Sequence, residues 1–203
     1  MVMPANNRTS LLLAPSSPQL YFGGPASALS RNKGIIFPLQ PDIAYQQSVN
    51  YSNYDLAHTN YTMYAYRNTS SPSIQVTAQF ANTTQDEIDY NLGVIHFLRG
   101  VTKMYSGIGD ARQGEPYAGT PPPVLRFSSF GANVFNNVRV IVGSFATTFD
   151  SGVDLRTTSS GDSLPSLMTL AIDLMVQVSP DRQKNVFSKR KFTSGNAYRE
   201  GFI

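Results

Sequence analysis

Two histidines, His58 and His96, are the residues of this chain best suited to move protons near neutral pH. His58 falls in a polar, tyrosine-rich stretch. His96 falls inside an apolar periodic segment, where a packed imidazole accounts for it better than catalysis does. No His-x-x-x-His pair is present to seat a metal. Asp86 and Glu87 are adjacent carboxylates, but neighbours on a helix point in different directions, so they do not converge on one bond. Gly107-Ile108-Gly109-Asp110-Ala111-Arg112 is glycine-rich like a phosphate loop. It lacks the Lys-Ser/Thr that grips phosphates, and it follows a helix pattern rather than a strand. Cysteine is absent, which excludes disulfides, thiolate zinc sites and cysteine nucleophiles. The expectation is a protein that is not an enzyme and uses no cofactor or metal.

Positive charge gathers in residues 180–203. Arg182, Lys184, Lys189, Arg190, Lys191 and Arg199 stand there against Asp181 and Glu200, with Phe187 and Phe192 among them. Such a segment can stack on and neutralise nucleic acid, or anchor on an acidic neighbouring subunit, or simply be solvated. Its basic content is modest, which favours assembly. Arg182, Lys184, Phe187, Lys189, Arg190, Lys191 and Phe192 are therefore the candidate inter-subunit contacts.

The elements that would hold these residues are mostly strands. Ile74, Val76, Ala78 and Phe80 alternate with Gln75, Thr77 and Gln79, as in a sheet covered on one side only. Asn60 to Tyr66 is rich in aromatic and β-branched residues. Together, 60–80 are expected to form a hairpin with a long loop. Val124 to Phe130 reads as a strand after the stiff Pro121-Pro122-Pro123. Val138 to Phe149 follows, with Val138, Val140 and Val142 on one face and Ile141, Phe145 and Phe149 on the other. Asp150 to Pro165 is expected as a polar loop. Leu167 to Val178 is the last strand; Met168, Leu170, Ile172, Leu174, Val176 and Val178 share one face, and Thr169, Asp173 and Gln177 the other. One helix is clear. Thr84 and Glu87 fit a capping box, and Ile88, Leu92, Ile95, Leu98 and Val101 recur at helical spacing as far as about Gly107.

Residues 1–34 are rich in Pro, Gly, Ser and Asn, and are expected as an extended N-terminal arm. Residues 35–203 would be one domain, its basic tail at 180–203. Five Asn-x-Ser/Thr sequons, at Asn7, Asn50, Asn60, Asn68 and Asn82, are taken as a consequence of composition. Only 14% of residues are charged, low for a free monomer and consistent with surface buried against partners. The net charge of +3 is too small to argue for nucleic-acid binding on its own. No segment approaches the ~18 apolar residues of a membrane span, so no membrane partner is expected.

Several segments together resemble a known family. They are Phe97-Leu98-Arg99-Gly100-Val101-Thr102-Lys103-Met104 with the glycine-rich loop after it, Pro121-Pro122-Pro123-Val124-Leu125-Arg126-Phe127, Phe135-Asn136-Asn137-Val138-Arg139-Val140, and Phe187-Ser188-Lys189-Arg190-Lys191-Phe192-Thr193-Ser194-Gly195. They are similar to baseplate tail-tube proteins of contractile-tailed bacteriophages, of the tube-initiator or tube-cap type. The resemblance spans about residues 60–203. Residues 1–59 do not match the larger N-terminal regions of that family.

The resemblance implies a mainly β fold with one helix (α+β), a tail-tube-like sandwich or barrel that assembles into a homohexameric ring. The ring would link the central hub to the tail tube, and DNA would pass through it without specific binding. Partners would be the protein itself and the adjacent hub and tube rings. The setting would be the virion baseplate, assembled in the host cytoplasm. The candidate lumen face is Gln75, Thr77 and Gln79, or Thr169, Asp173 and Gln177. Neither set carries Lys or Arg, as suits a channel that must not hold phosphates. The alternatives are the major tail-tube protein and, from another class, a nucleic-acid-binding β-domain.

Overall fold

The computed structural model describes residues 8–15, 20, 22–105 and 119–203. The glycine-rich loop at 107–112 and the sequon at Asn7 lie outside the described residues, whereas the helix expected to run to about Gly107 ends at Val101, with Thr102 as its C-cap.

Among the described residues eleven strands form in chain order: β1 Ser10–Leu13, β2 Gly34–Ile36, β3 Asp42–Gln46, β4 Val49–Tyr54, β5 Met63–Thr69, β6 Ser73–Ala81, β7 Leu125–Ser129, β8 Phe135–Phe149, β9 Leu155–Thr157, β10 Ser163–Pro165 and β11 Leu167–Val176. Seven of them make one antiparallel sheet in the order β2-β1-β7-β8-β11-β6-β3. One main helix, α1 (Gln85–Val101), covers it, and three short helices follow the last strand: α2 Pro180–Asn185, α3 Lys189–Thr193 and α4 Asn196–Arg199. The fold is mainly β, of α+β type.

The alternation read from the sequence is the core of the sheet. Ile74, Val76, Ala78 and Phe80 of β6 are buried, as are Met168, Leu170, Ile172, Leu174 and Val176 of β11. The capping box of α1 forms as expected. Thr84 Oγ1 accepts from the Glu87 N–H, and the Glu87 carboxylate accepts from the Thr84 N–H at 3.0 Å. These bonds hold the Glu87 carboxyl below its usual pKa. Ile88, Val94, Phe97, Leu98 and Val101 then enter the core. Each such burial stabilises by about 1.5–3 kcal/mol relative to exposure.

A buried amide pair ties the helix to the end of β6 and the start of β11. Asn91 Nδ2 donates to Asn82 Oδ1 at 2.6 Å, and the Asn82 N–H donates to the Ser166 carbonyl at 2.8 Å. Asn82 is thus an internal anchor, and its sequon is out of reach of a glycan.

Four expectations are corrected. The first concerns the arm. Its described part is packed: β1 lies between β2 and β7, Leu11 is fully buried, and a 3-10 helix at Gly24–Leu29 lies against α1. The pairing is tight enough that a Cβ at Gly34 would sit 2.3 Å from the Leu11 carbonyl oxygen. The short Leu11-Leu12-Leu13 stretch is a sheet strand because the far-off β7 gives it a partner.

The second concerns the hairpin at 60–80. β5 pairs with β4, whereas β6 pairs with β3 and β11. The third concerns Asp150–Pro165, where β9 and β10 form a small hairpin. The fourth concerns Phe145. A register shift opposite Asp173 and Leu174 leaves Gly143 as an extra residue in β8. One extra residue reverses the facing of all that follow, so Phe145 packs on the core with Val142 rather than opposite it.

The outer edge of β2 is closed by a side chain. Tyr90 of α1 accepts from the Ile36 N–H and donates to the Ile36 carbonyl, both at 2.8 Å. A single phenol thereby satisfies both free backbone groups of an edge residue. Burial, the larger influence, raises the Tyr90 pKa against the opposing bond from Ile36. A tyrosine whose folded pKa is raised contributes stability that is whole below the unfolded value near 10 and is lost as pH climbs through the folded value. Tyr90→Phe is expected to lower unfolding free energy by about 1–3 kcal/mol at neutral pH. It should also flatten part of the stability loss above pH 10, read by urea melts across that range. An unchanged urea midpoint would contradict the edge-closing role.

Candidate functional site

Three surfaces have features that the core does not require. The first is the uncovered face of the main sheet. Gln75, Thr77 and Gln79 project on the side of β6 opposite its buried residues. On β11, Thr169, Ala171 and Asp173 stand directly beside them, in the register Asp173–Gln75, Ala171–Thr77 and Thr169–Gln79. The two candidate lumen sets, offered by the sequence as alternatives, are therefore one continuous face. β8 extends it with Ser144, Ala146 and Thr148, and β3 with Asp42 and Ala44. Ser144 Oγ donates to the Asp173 carboxylate at 2.5 Å.

At the Gln177 end the same face changes character. The Gln177 N–H donates to the Arg139 carbonyl, which extends the pairing of β11 with β8. Arg139 lies directly opposite Arg126 on β7. Like charges in that position repel. The named positions of β6 and β11 carry no Lys or Arg, but two arginines continue that face. The sequence could not show this, because the adjacency exists only once β7, β8 and β11 are in register.

The second surface is the C-terminal segment. The sequence suggested a tail reaching outward; here it folds back as a cap on the Phe135 end of β8. Ala197 and Phe202 are buried. A Cβ on Gly201, whose φ is +79°, would lie 2.8 Å from the Asn137 carbonyl oxygen, so the closing turn needs glycine. Arg182 donates to the Glu200 carbonyl and lies over the Phe202 ring, 5.1 Å from its centroid. Burial first, then the charge of Arg139, lowers the Arg182 pKa; Glu200 opposes this and Arg126 adds to it. Lys191 pairs with Glu200 at 3.1 Å.

The aromatic residues join the same cap. Phe187 stacks edge-on to Phe202 at 5.6 Å, and Phe192 meets Tyr198 at 5.3 Å. Of the candidate contacts, Arg182 and Phe192 are thus half-buried within the cap, whereas Lys184, Phe187, Lys189, Arg190 and Lys191 remain exposed. The sequence missed three short helices because each is too brief to show a period. Ser179, whose side chain caps α2, and Pro180 were their visible signal.

The third surface is the ribbon β4–β5. It is inserted between β3 and β6, and its two strands pair with each other. Tyr51, Tyr54, Leu56, Met63 and Tyr66 are more than half exposed, Tyr64 is 67% exposed and Tyr61 86%. An isolated two-stranded ribbon is marginal in water, and so much exposed aromatic surface marks a contact site.

His96 lies on α1 at a cleft with Leu20, Ala26, Gly100 and Met104. His58 sits in the β4–β5 connection, with a left-handed φ of 62°. The two histidines do not converge on one site. Among the described residues, no three His, Asp or Glu side chains are grouped so as to hold a metal.

Comparison with protein-family models finds no match, and comparison with curated proteins finds none.

If the ribbon serves contact rather than folding, replacing residues 49–69 by Asn-Gly should leave the melting temperature within about 3 °C, since it packs little on the core. Binding of a hydrophobic dye should fall. A collapse of the cooperative melt would show instead that the ribbon supports the sheet.

Proposed function

We propose that this chain is a structural virion protein that forms a homohexameric ring of the baseplate tube in a contractile phage tail. The ring would link the hub to the tail tube and line the channel through which DNA passes. The observation that carries the reading is the continuous polar face of β3, β6, β11 and β8. Its reverse side is sealed on α1 and the core, yet it is itself left bare and mostly uncharged. From β3 through β6 and β11 to Ser144, Ala146 and Thr148 of β8, this face carries Asp42 and Asp173 but no Lys or Arg, so that stretch has no cation to hold phosphates; Arg139 and Arg126 lie beyond it at the Gln177 end. The edge at β3 is open on its outer side in the sheet order, so a neighbouring copy could continue the sheet there. Repetition of that contact by rotation closes a ring. The likeness of the four quoted segments to baseplate tail-tube proteins supports the same reading.

The position of the ring is left between initiator or cap and the major tube protein, which would polymerise in many copies. A second reading has one specific observation in its favour. Arg126 and Arg139 beside the basic cap would suit a nucleic-acid-binding β-domain.

Negative-stain electron microscopy of the purified protein, with and without candidate neighbouring rings, tests the proposal. Sixfold rings of tube width are expected. A strict monomer under those conditions would sink it. Salt-sensitive binding of single-stranded DNA by that monomer would favour the second reading instead.

A further inference from the structure

The charges of this molecule are sorted along the strand direction. At one end, β6 gives way to α1 and β8 to the β9–β10 hairpin, since Ala81 pairs with Leu167 and Phe149 with Met168. Asp86, Glu87, Asp89, Asp150, Asp154 and Asp162 gather there, with Arg156 as the basic residue of the hairpin. Asp89 binds the Ser159 N–H at 3.0 Å, which holds the hairpin against the helix and so joins the two groups of carboxylates. That bond lowers the Asp89 pKa and keeps the group charged.

The opposite end carries the C-terminal cap, fixed to Asn136 and Asn137 of β8. Residues 179–203 hold six basic and two acidic side chains, a balance of +4; Arg126 and Arg139 raise it to +6. Against the whole-chain charge of +3, the remainder is 3 − 6, or −3. The nine residues of β6 put roughly 30 Å between the two ends, well beyond the Debye length of about 8 Å in physiological salt. The opposite charges therefore do not neutralise each other within one copy. Among the described residues the cap has a single ion pair, Lys191 with Glu200.

We infer that the basic cap docks on the acidic α1/β9–β10 end of a second copy, head to tail along the strand axis. The occupant is chosen by charge complementarity, since each end of the chain presents what the other lacks. The exposed cations Lys184, Lys189 and Arg190 would meet the exposed carboxylates Asp86, Asp154 and Asp162. Such a contact is heterologous and uses both ends of every copy, so it stacks copies without consuming the sheet edges. It stands on the charge layout and does not require the ring. Where rings form, it makes the chain a partner for itself above and below.

A charge-swap experiment tests it on the full chain. One variant carries Lys184→Glu, Lys189→Glu and Arg190→Glu; the other carries Asp86→Lys, Asp154→Lys and Asp162→Lys. Association is read by sedimentation at ~50 mM and ~500 mM salt, and particle shape by electron microscopy. Wild type is expected to associate axially at low salt and weaken at least about tenfold at high salt. Each variant alone should lose axial association, and the equimolar mixture should regain it, because every interface then again joins opposite charges. A variant that fails its circular-dichroism check is replaced by the corresponding Gln or Asn set, for which loss alone is expected.

Wild type without axial association at low salt would overturn the inference. So would variants that stack as wild type does, a mixture that stays dissociated, or a cap that binds single-stranded DNA in preference to a second copy. Isolated sixfold rings in the variants would separate this contact from the ring. Salt-sensitive stacking without any ring would leave this inference standing while the ring reading fails.

Discussion

Nine successive residue pairs between β6 and β11 fix the register on which the rest of the molecule depends. Side chains alternate across a strand, so a slip of one residue would send Ile74, Val76, Phe80 and their partners into water and bury Gln75, Thr77 and Gln79. The cost of that exchange is many kcal/mol, because each large side chain contributes about 1.5–3 on burial and each unpaired polar group costs about 1–3. The same register that seals the core against α1 therefore lays out the polar face. The Asn82–Asn91 pair locks it further, since it joins the end of β6, the helix and the start of β11 in one buried set of hydrogen bonds.

From that constraint the other surfaces follow. β8 continues the sheet and brings Arg139 beside Arg126. The end of β11 delivers the C-terminal segment to the Phe135 end of β8, where Phe202 and Gly201 seat it. The start of β11 places the β9–β10 hairpin against the first turns of α1 through Asp89. Function, in the reading proposed here, uses the outside of the sheet as a wall and the two ends of the strands as joints. The ribbon β4–β5 adds an aromatic arm at the end where Gln46 pairs with Ser73.

The strands that were legible in the sequence are those whose partners lie on one face only. In β6 and β11 the alternation of Ile, Val, Leu and Met with Gln, Thr and Asp states both the period and the facing. The α1 start was legible because a capping box is local chemistry. What could not be read depends on distant pairing. β1 is four residues long and exists because β7, more than a hundred residues later, accepts it. The partner of β5 is the preceding β4 rather than the following β6, and nothing in Asn60 to Phe80 distinguishes these options. The bulge at Gly143 is one glycine in a fifteen-residue strand, yet it decides where Phe145 points. The candidate face was half legible: its residue types were, but the merging of two sets into one, and its continuation into two arginines, were not.

The most direct test of the account is a three-dimensional electron-microscopy reconstruction of the assembled protein, resolved well enough to place β6 and β11. The account predicts that Gln75, Thr77, Thr169 and Asp173 face the central axis, with α1 outside. A ring lined by α1, or an assembly in which two copies bury these polar faces against each other, would contradict it.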